Sequence, residues 1–359
     1  MSGNARREIL GGVFALVVPF ALYAAIVLHR YDGETYLRGD CRYYYAAAVS
    51  LYADHDLDIA NQLRFLDVDP GDISVAKDGR LVPKHPTVMS VAALPLIALF
   101  GAPGALAFNL LQLAAILLIA YRLALRCASP VFAALAVIAT GCASVLPHYV
   151  WNFSPDLFAA MLLCAALLML PDREMAAGFL FALAAVSKFA LIFFLPGALL
   201  LCRRRWLLLA GAALPFLAFA LYNQHFFGSP FATSYDRIVT LEQGRAVVVS
   251  QRADFTLPLL EGIARQLDDP VNGLLKTSAL TVLSLLALPF LAERHPRLAL
   301  YLGASSAALF LFYSKYRLWN SSHIGNRFLM PIVILGALPL ASMFASVTRL
   351  VRAQRIGAE

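Results

Sequence analysis

The chain has 359 residues, 60% of them apolar and only 14% charged, with a formal net charge of +7. A soluble domain carries about 45–50% apolar and about 25% charged residues, so this composition excludes an ordinary soluble globule. It points to a polytopic membrane protein whose backbone polar groups are satisfied inside helices, and the alternation that a membrane barrel requires is missing from the sequence.

Arg6 and Arg7 precede an apolar stretch over 9–28. The apolar core of a cleaved signal is shorter, about 7–15 residues, so this stretch is predicted to be a membrane anchor. Further spans are predicted at 105–125, 130–146, 156–170, 175–187, 189–202, 206–224, 274–292, 298–313 and 328–347. The expected fold class is therefore an all-α polytopic membrane protein. It has about ten transmembrane helices, an amphipathic first outer loop and both termini on one side.

Two stretches are ambiguous. Residues 87–100 are too few to cross a bilayer at about 1.5 Å per residue and are predicted to lie in the outer leaflet. Residues 175–202 carry Lys188 near their middle. They form either one tilted helix with a buried charge or a hairpin with Lys188 at its outer tip. Charge favours the hairpin. With it, the inner segments hold thirteen bases against five acids, and the outer segments sixteen against seventeen, as the positive-inside rule expects. The net charge is then an insertion signal. Basic residues scattered over helix ends do not make a nucleic-acid surface.

Residues 1–359 thus read as a single transmembrane domain with two long outer loops, 30–103 and 225–273. The five cysteines suggest no disulfide framework and read as structural thiols. Polar chemistry gathers on the outer face. Asp40 precedes a helical pattern in which Tyr44, Ala47, Ala48, Leu51 and Tyr52 share one face, as in a helix lying on the membrane surface. Asp40 is either an N-cap or a general base that the helix N-terminus keeps ionised. Asp54, Asp56 and Asp58 alternate along the loop and suggest either a divalent cation site or a solvated turn. Lys84 and His85 precede Pro86 at the start of the short outer helix, where a cation either meets a phosphate or snorkels to headgroups. Asp156 opens a span and complements its dipole, holds a sugar, or orients Lys84. Lys188 is an ionisable group in apolar sequence, a functional-site hypothesis by default. Trp319, His323, Asn326 and Arg327 occupy the last outer loop, and the Arg327 fork suits phosphate oxygens.

The order of these features resembles the integral-membrane glycosyltransferases of the GT-C class, which include aminoarabinose transferases and protein O-mannosyltransferases. The resemblance covers most of the chain. It rests on Gly39-Asp40 with Tyr43, Tyr44 and Tyr45, then Asp54-His55-Asp56-Leu57-Asp58, Lys84-His85-Pro86, Leu99-Phe100-Gly101 and Ser154-Pro155-Asp156. Ser187-Lys188, Tyr222-Asn223, Phe227-Gly228-Ser229-Pro230, Asn272-Gly273-Leu274-Leu275 and Gly325-Asn326-Arg327-Phe328-Leu329-Met330-Pro331 complete it. It implies an inverting glycosyltransferase of a bacterial inner (plasma) membrane. The enzyme would move a sugar from a polyprenyl-phosphate donor to an extracytoplasmic glycolipid, polysaccharide or protein. The active site would be periplasmic and both termini cytoplasmic. Asp40 would be the catalytic base, and Lys84, His85 and Arg327 would bind the donor phosphate. Tyr43, Tyr44, Asp156, Lys188 and His323 would serve the sugar or acceptor. No cofactor is implied with certainty, a divalent cation being the one candidate. The competing class is a transporter or flippase of lipid-linked sugars, which would place polar groups near the bilayer midplane and show inverted repeats.

Overall fold

A computed structural model describes residues 3–30, 37, 39–66, 73–242, 245–320 and 325–356. Helix α1 (Gly3–Arg30) is followed by α2 (Cys41–Ala53) and α3 (Ala60–Leu66), strands β1 (Ile73–Val75) and β2 (Leu81–Pro83), and α4 (Val88–Phe100). The helices α5 (Ala102–Ala124), α6 (Pro130–Cys142), α7 (Pro155–Met169) and α8 (Glu174–Ser187) come next. A 3-10 turn leads into α9 (Phe194–Ala198), then α10 (Arg205–Phe227), β3 (Ile238–Glu242), β4 (Arg245–Val249) and α11 (Leu259–Asp268). The chain closes with α12 (Leu274–Thr277), α13 (Ala279–Leu286), α14 (Leu288–Ala292), α15 (Pro296–Ser314), α16 (Met330–Leu335) and α17 (Ala337–Ile356).

The protein is a helical membrane protein. Among the described residues, five helical segments are long and apolar enough to cross a bilayer: Gly3–His29, Ala102–Ala124, Arg205–Phe227, Pro296–Ser314 and Arg327–Val351. Shorter apolar helices fall at 130–142, 155–169, 174–187 and 189–198, each within or beside a predicted span. The 274–292 run is broken into three pieces at Ser278 and Ala287. The apolar window of the segment starting at Arg327 is 83% buried, whereas that of α1 is only 17% buried. The last segment is therefore the centre of the bundle, and α1 presents its apolar surface outward.

Two expectations can now be settled or corrected. The 175–202 stretch is a hairpin. Glu174 Oε1 accepts from the backbone N–H of Arg203 at 2.5 Å and of Arg204 at 2.7 Å, whereas a single helix would hold those ends about 40 Å apart. The chain breaks at Lys188, in extended conformation. The all-α expectation needs correction, because the two long loops, 30–103 and 225–273, join in a four-stranded antiparallel sheet of order β2-β1-β3-β4. Ser74 pairs with Ile238, and Ile73 with Val239. At three residues each, β1 and β2 are too short to show a period-two pattern, but the sheet is covered on both faces, with Ile73 buried on one and Val82 and Ile238 on the other.

The hairpin's first arm packs on α10 at two glycines. A Cβ on Gly178 would lie 1.9 Å from the Leu208 carbonyl oxygen, and one on Gly211 would lie 1.9 Å from that of Met175. Small residues that let helix backbones touch are a common means of packing helices in lipid. Gly211→Ala should therefore destabilise the protein by roughly 1–3 kcal/mol through overpacking. Gly303→Ala, where a Cβ meets only the Leu288 side chain at 3.5 Å, should leave the thermal unfolding midpoint in detergent unchanged or slightly higher. Equal midpoints for Gly211→Ala and wild type would contradict this packing.

Candidate functional site

Four elements deliver charged groups to one buried point. Asp40 occupies the N-cap position of α2, but its carboxylate makes no capping hydrogen bond. It instead accepts from Arg327 Nη2 at 2.6 Å, both side chains being about nine-tenths buried. Arg327 sits in a 3-10 turn, Arg327–Leu329, that opens the central segment. Its Nε lies 3.8 Å from Asp156 Oδ2. Asp156, in the first turn of α7, also meets Lys188 Nζ at 2.7 Å and accepts from Ser154 Oγ at 3.1 Å. Lys188 lies over the Phe328 ring, 4.3 Å from its centroid, a favourable place for a partly desolvated ammonium.

His85 closes the cluster from the first long loop. Its Nε2 is 3.7 Å from Asp40 Oδ2, and its Nδ1 is 3.2 Å from the Tyr235 hydroxyl. The ring packs on Tyr44 at 5.0 Å between centroids. Lys84 is half-buried beside it, close enough for its charge to act on both Asp40 and His85. The sheet sets this arrangement. Ser234 Oγ donates to the Lys84 carbonyl at 2.6 Å, and Ser74 Oγ donates to the Ser234 carbonyl at 2.5 Å, so Tyr235 of the second loop is pinned beside His85 of the first.

A second polar network holds the Arg327 turn. Asn326 Oδ1 accepts from the Phe328 backbone N–H at 3.1 Å, and Asn326 Nδ2 donates to Gln266 Oε1 at 2.5 Å. Gln266, completely buried in α11, donates to Ser314 Oγ at 2.6 Å and to the Phe310 carbonyl. Asn272 Oδ1 accepts from the Gly325 N–H at 2.9 Å. Gly325 has φ +76°, and a Cβ there would meet Val145 at 2.7 Å. The motif residues Asn272, Gly325 and Asn326 thus hold the backbone that presents Arg327.

The electrostatics follow from burial and charge. Burial pushes the Asp40 carboxyl up, but the Arg327 guanidinium above all, with the Lys84 charge, holds it well below its ordinary range. Burial is also the largest influence on His85 and outweighs the pull of Asp40, so its pKa falls well below 6.5 and the ring is neutral at pH 7. Burial raises the Tyr44 and Tyr235 hydroxyls, which stay protonated.

Several of the residues singled out from sequence therefore meet: Asp40, His85, Tyr44, Asp156, Lys188 and Arg327, with Lys84 at the edge. Asp156 pairs with Lys188 rather than orienting Lys84. Tyr43 does not belong to the cluster. It packs with Ala46, Ile59 and Ile73 in the core of the loop. As a result α2 is buried on two sides, with Tyr52 of its expected membrane face 55% exposed. His323 lies outside the described residues. The three loop acids serve the loop itself. Asp54 Oδ2 accepts from Asn61 and Gln62, Asp56 Oδ1 from Ser50 Oγ and Asp58 N–H, and Asp58 Oδ1 from Ala60 and Leu81 N–H. No three His, Cys, Asp or Glu side chains are grouped to hold a metal ion among the described residues. Tyr235 and Gln266 escaped the sequence reading, since each owes its place to a contact remote in the chain. No family model, curated protein or solved structure matches the chain.

The lowered His85 pKa has a definite sign in folding. Between the folded value and 6.5, the unfolded chain binds a proton that the folded chain does not, so stability rises with pH in that window. The unfolding midpoint should fall as pH is lowered from about 6.5, and His85→Gln should flatten that dependence. An identical slope in the variant would rule out a buried neutral His85.

Proposed function

We propose that the protein is an inverting, membrane-embedded glycosyltransferase that uses a polyprenyl-phosphate sugar. The observation that carries this reading is the buried cluster in which Arg327, Lys188 and Lys84 gather beside the Asp40 carboxylate. Arg327 and Lys188 bring a guanidinium and an ammonium to one buried point, with the Lys84 charge beside them, a donor set that suits one phosphate. The cluster lies at the end of the central segment and at the first turn of α7, as befits a donor whose tail stays in lipid while its head enters from the membrane surface. A transporter would place such groups near the middle of its helices.

In the proposed reaction an acceptor hydroxyl attacks the anomeric carbon from the face opposite the phosphate. The new C–O bond forms as the bond from that carbon to the phosphate oxygen breaks. The electron pair leaves with polyprenyl phosphate, which gains one negative charge, and the hydroxyl proton passes to Asp40. Lys84, Lys188 and Arg327 stabilise the growing charge. The leaving group departs as phosphate without needing a proton, so the second carboxylic acid of glycoside hydrolases has no task here. A carboxylate clamped to Arg327 is a weak base. An arriving donor phosphate competes for that guanidinium, and Asp40 becomes more basic as its partner turns away. His85 and Tyr235 wall the cluster, and Tyr44 supports His85. The topology that goes with this reading has ten crossings, with α8 and 189–202 as paired short arms. Both termini would be cytoplasmic and the site periplasmic, in a bacterial inner membrane.

The test is turnover. Purified protein given a lipid-linked sugar and an acceptor extract should release polyprenyl phosphate. Asp40→Asn, assayed below its own unfolding temperature, should lose about 10²–10⁴-fold in rate. Lys84→Gln should raise KM for the donor more than it lowers kcat. A folded Asp40→Asn variant with wild-type turnover would remove Asp40 as the base. Absence of any released polyprenyl phosphate from wild type across donor sugars would overturn the enzymatic reading.

A further inference from the structure

The hairpin has a second charged feature, at the end of the helical body away from Asp40. α8 starts there at Glu174 and runs about 21 Å to Ser187, next to Lys188. A cleft of about 630 Å³ opens between the start of α8 and the start of α10, lined by Arg173, Arg203, Arg204, Asp172 and Glu174 among others. The three arginines are exposed, and none has a carboxylate within ion-pair distance among the described residues. The acids have other tasks. Glu174 is buried, with its Oε1 taken by the backbone N–H groups of Arg203 and Arg204. Asp172 acts on Arg126, whose guanidinium caps the Leu167 and Leu168 carbonyls at the end of α7.

Glu174 therefore fixes the backbone of the arginine run, while the exposed guanidinium groups pair with no carboxylate among the described residues. The same carboxylate draws the two helix starts together, so that their N-terminal dipoles add to the field in the cleft.

The surroundings are those of an amphiphile's site. Met175 is 53% and Trp206 65% exposed at the rim. From there an exposed row of leucines, Leu209, Leu214, Leu217 and Leu221, runs along α10 towards the other end of the bundle. A free phosphate would use the arginines and leave this row bare. A phospholipid would use both, with its phosphate among the guanidinium groups, the glycerol beside Trp206 and an acyl chain along the leucines.

We propose that this cleft is a binding site for an anionic phospholipid, holding the α8–α10 end of the hairpin at the membrane face remote from Asp40. Basic pockets between membrane helices bind acidic headgroups in this way. The site does not depend on the reaction proposed above.

The probe is dioleoylphosphatidylglycerol, with dioleoylphosphatidylcholine as the neutral control. The full chain, purified in detergent, is titrated with each and examined by native mass spectrometry. One phosphatidylglycerol should persist on wild type at collision energies that strip phosphatidylcholine. Arg203→Gln/Arg204→Gln should weaken its retention by roughly tenfold or more. Arg294→Gln/Arg297→Gln, which removes equal charge at the same end but away from the cleft, should leave it intact. In case the first pair disturbs folding, wild-type Trp206 offers an independent readout, its contribution isolated with Trp206→Phe. Brominated phosphatidylglycerol should quench it more strongly than brominated phosphatidylcholine. Equal loss in both double variants, or equal quenching by both lipids, would overturn a specific site. Displacement of the lipid by inorganic phosphate alone would overturn the lipid as its occupant.

Discussion

A carboxylate and a guanidinium, each about nine-tenths buried and 2.6 Å apart, form the constraint around which one end of the helical body is built. Neither group tolerates such a place alone. Taking a charge out of water costs several kcal/mol, and removing one member of a buried pair costs about 3–5 kcal/mol because the other is stranded. The pair therefore requires a scaffold that fixes both members at once. Asp40 comes from the first long loop and Arg327 from the start of the last segment. Asp156 and Lys188 extend the pair into a four-member cluster, in which each charge faces an opposite one.

Much of the remaining architecture serves that requirement. The β1–β3 pairing joins two loops far apart in sequence and brings Tyr235 to His85. Gln266 links α11, α15 and the turn carrying Arg327, with its amide engaged at both ends. The hairpin break at Lys188 places an ammonium beside Asp156 without burying a charge in the middle of a helix. Its other end is closed by Glu174, whose carboxylate satisfies two backbone donors at the start of the following helix. The chain thus has an electrostatic fastening at each end of the hairpin. One faces the proposed donor, and the other faces the proposed phospholipid.

The sequence made the charged positions legible because ionisable residues in so apolar a chain are few and costly, and Asp40, His85, Asp156, Lys188 and Arg327 all stood out for that reason. It did not disclose their partners: for Asp156 the pattern leaves a helix dipole, a sugar and Lys84 equally open, whereas the ion pair is to Lys188. Tyr43 and Tyr44 could not be separated by type. One step along a helix turns the side chain by about 100°, which sends Tyr44 to His85 and Tyr43 into the loop core. The sheet was hidden because β1 and β2 have only three residues each and β3 and β4 do not alternate strictly between apolar and polar residues, and Tyr235 was hidden with it. The 175–202 stretch was ambiguous until the contact between Glu174 and the Arg203 and Arg204 amides joined its two ends.

The central claim is that Asp40 and Arg327 are mutually dependent, and a double-mutant cycle measures that directly. Unfolding free energies in detergent would be determined for wild type, Asp40→Asn, Arg327→Gln and the double variant. Mutual dependence predicts single losses of about 3–5 kcal/mol each, with the double variant losing much less than their sum. Losses that simply add would show that the two groups do not hold one another in place, and would contradict the account.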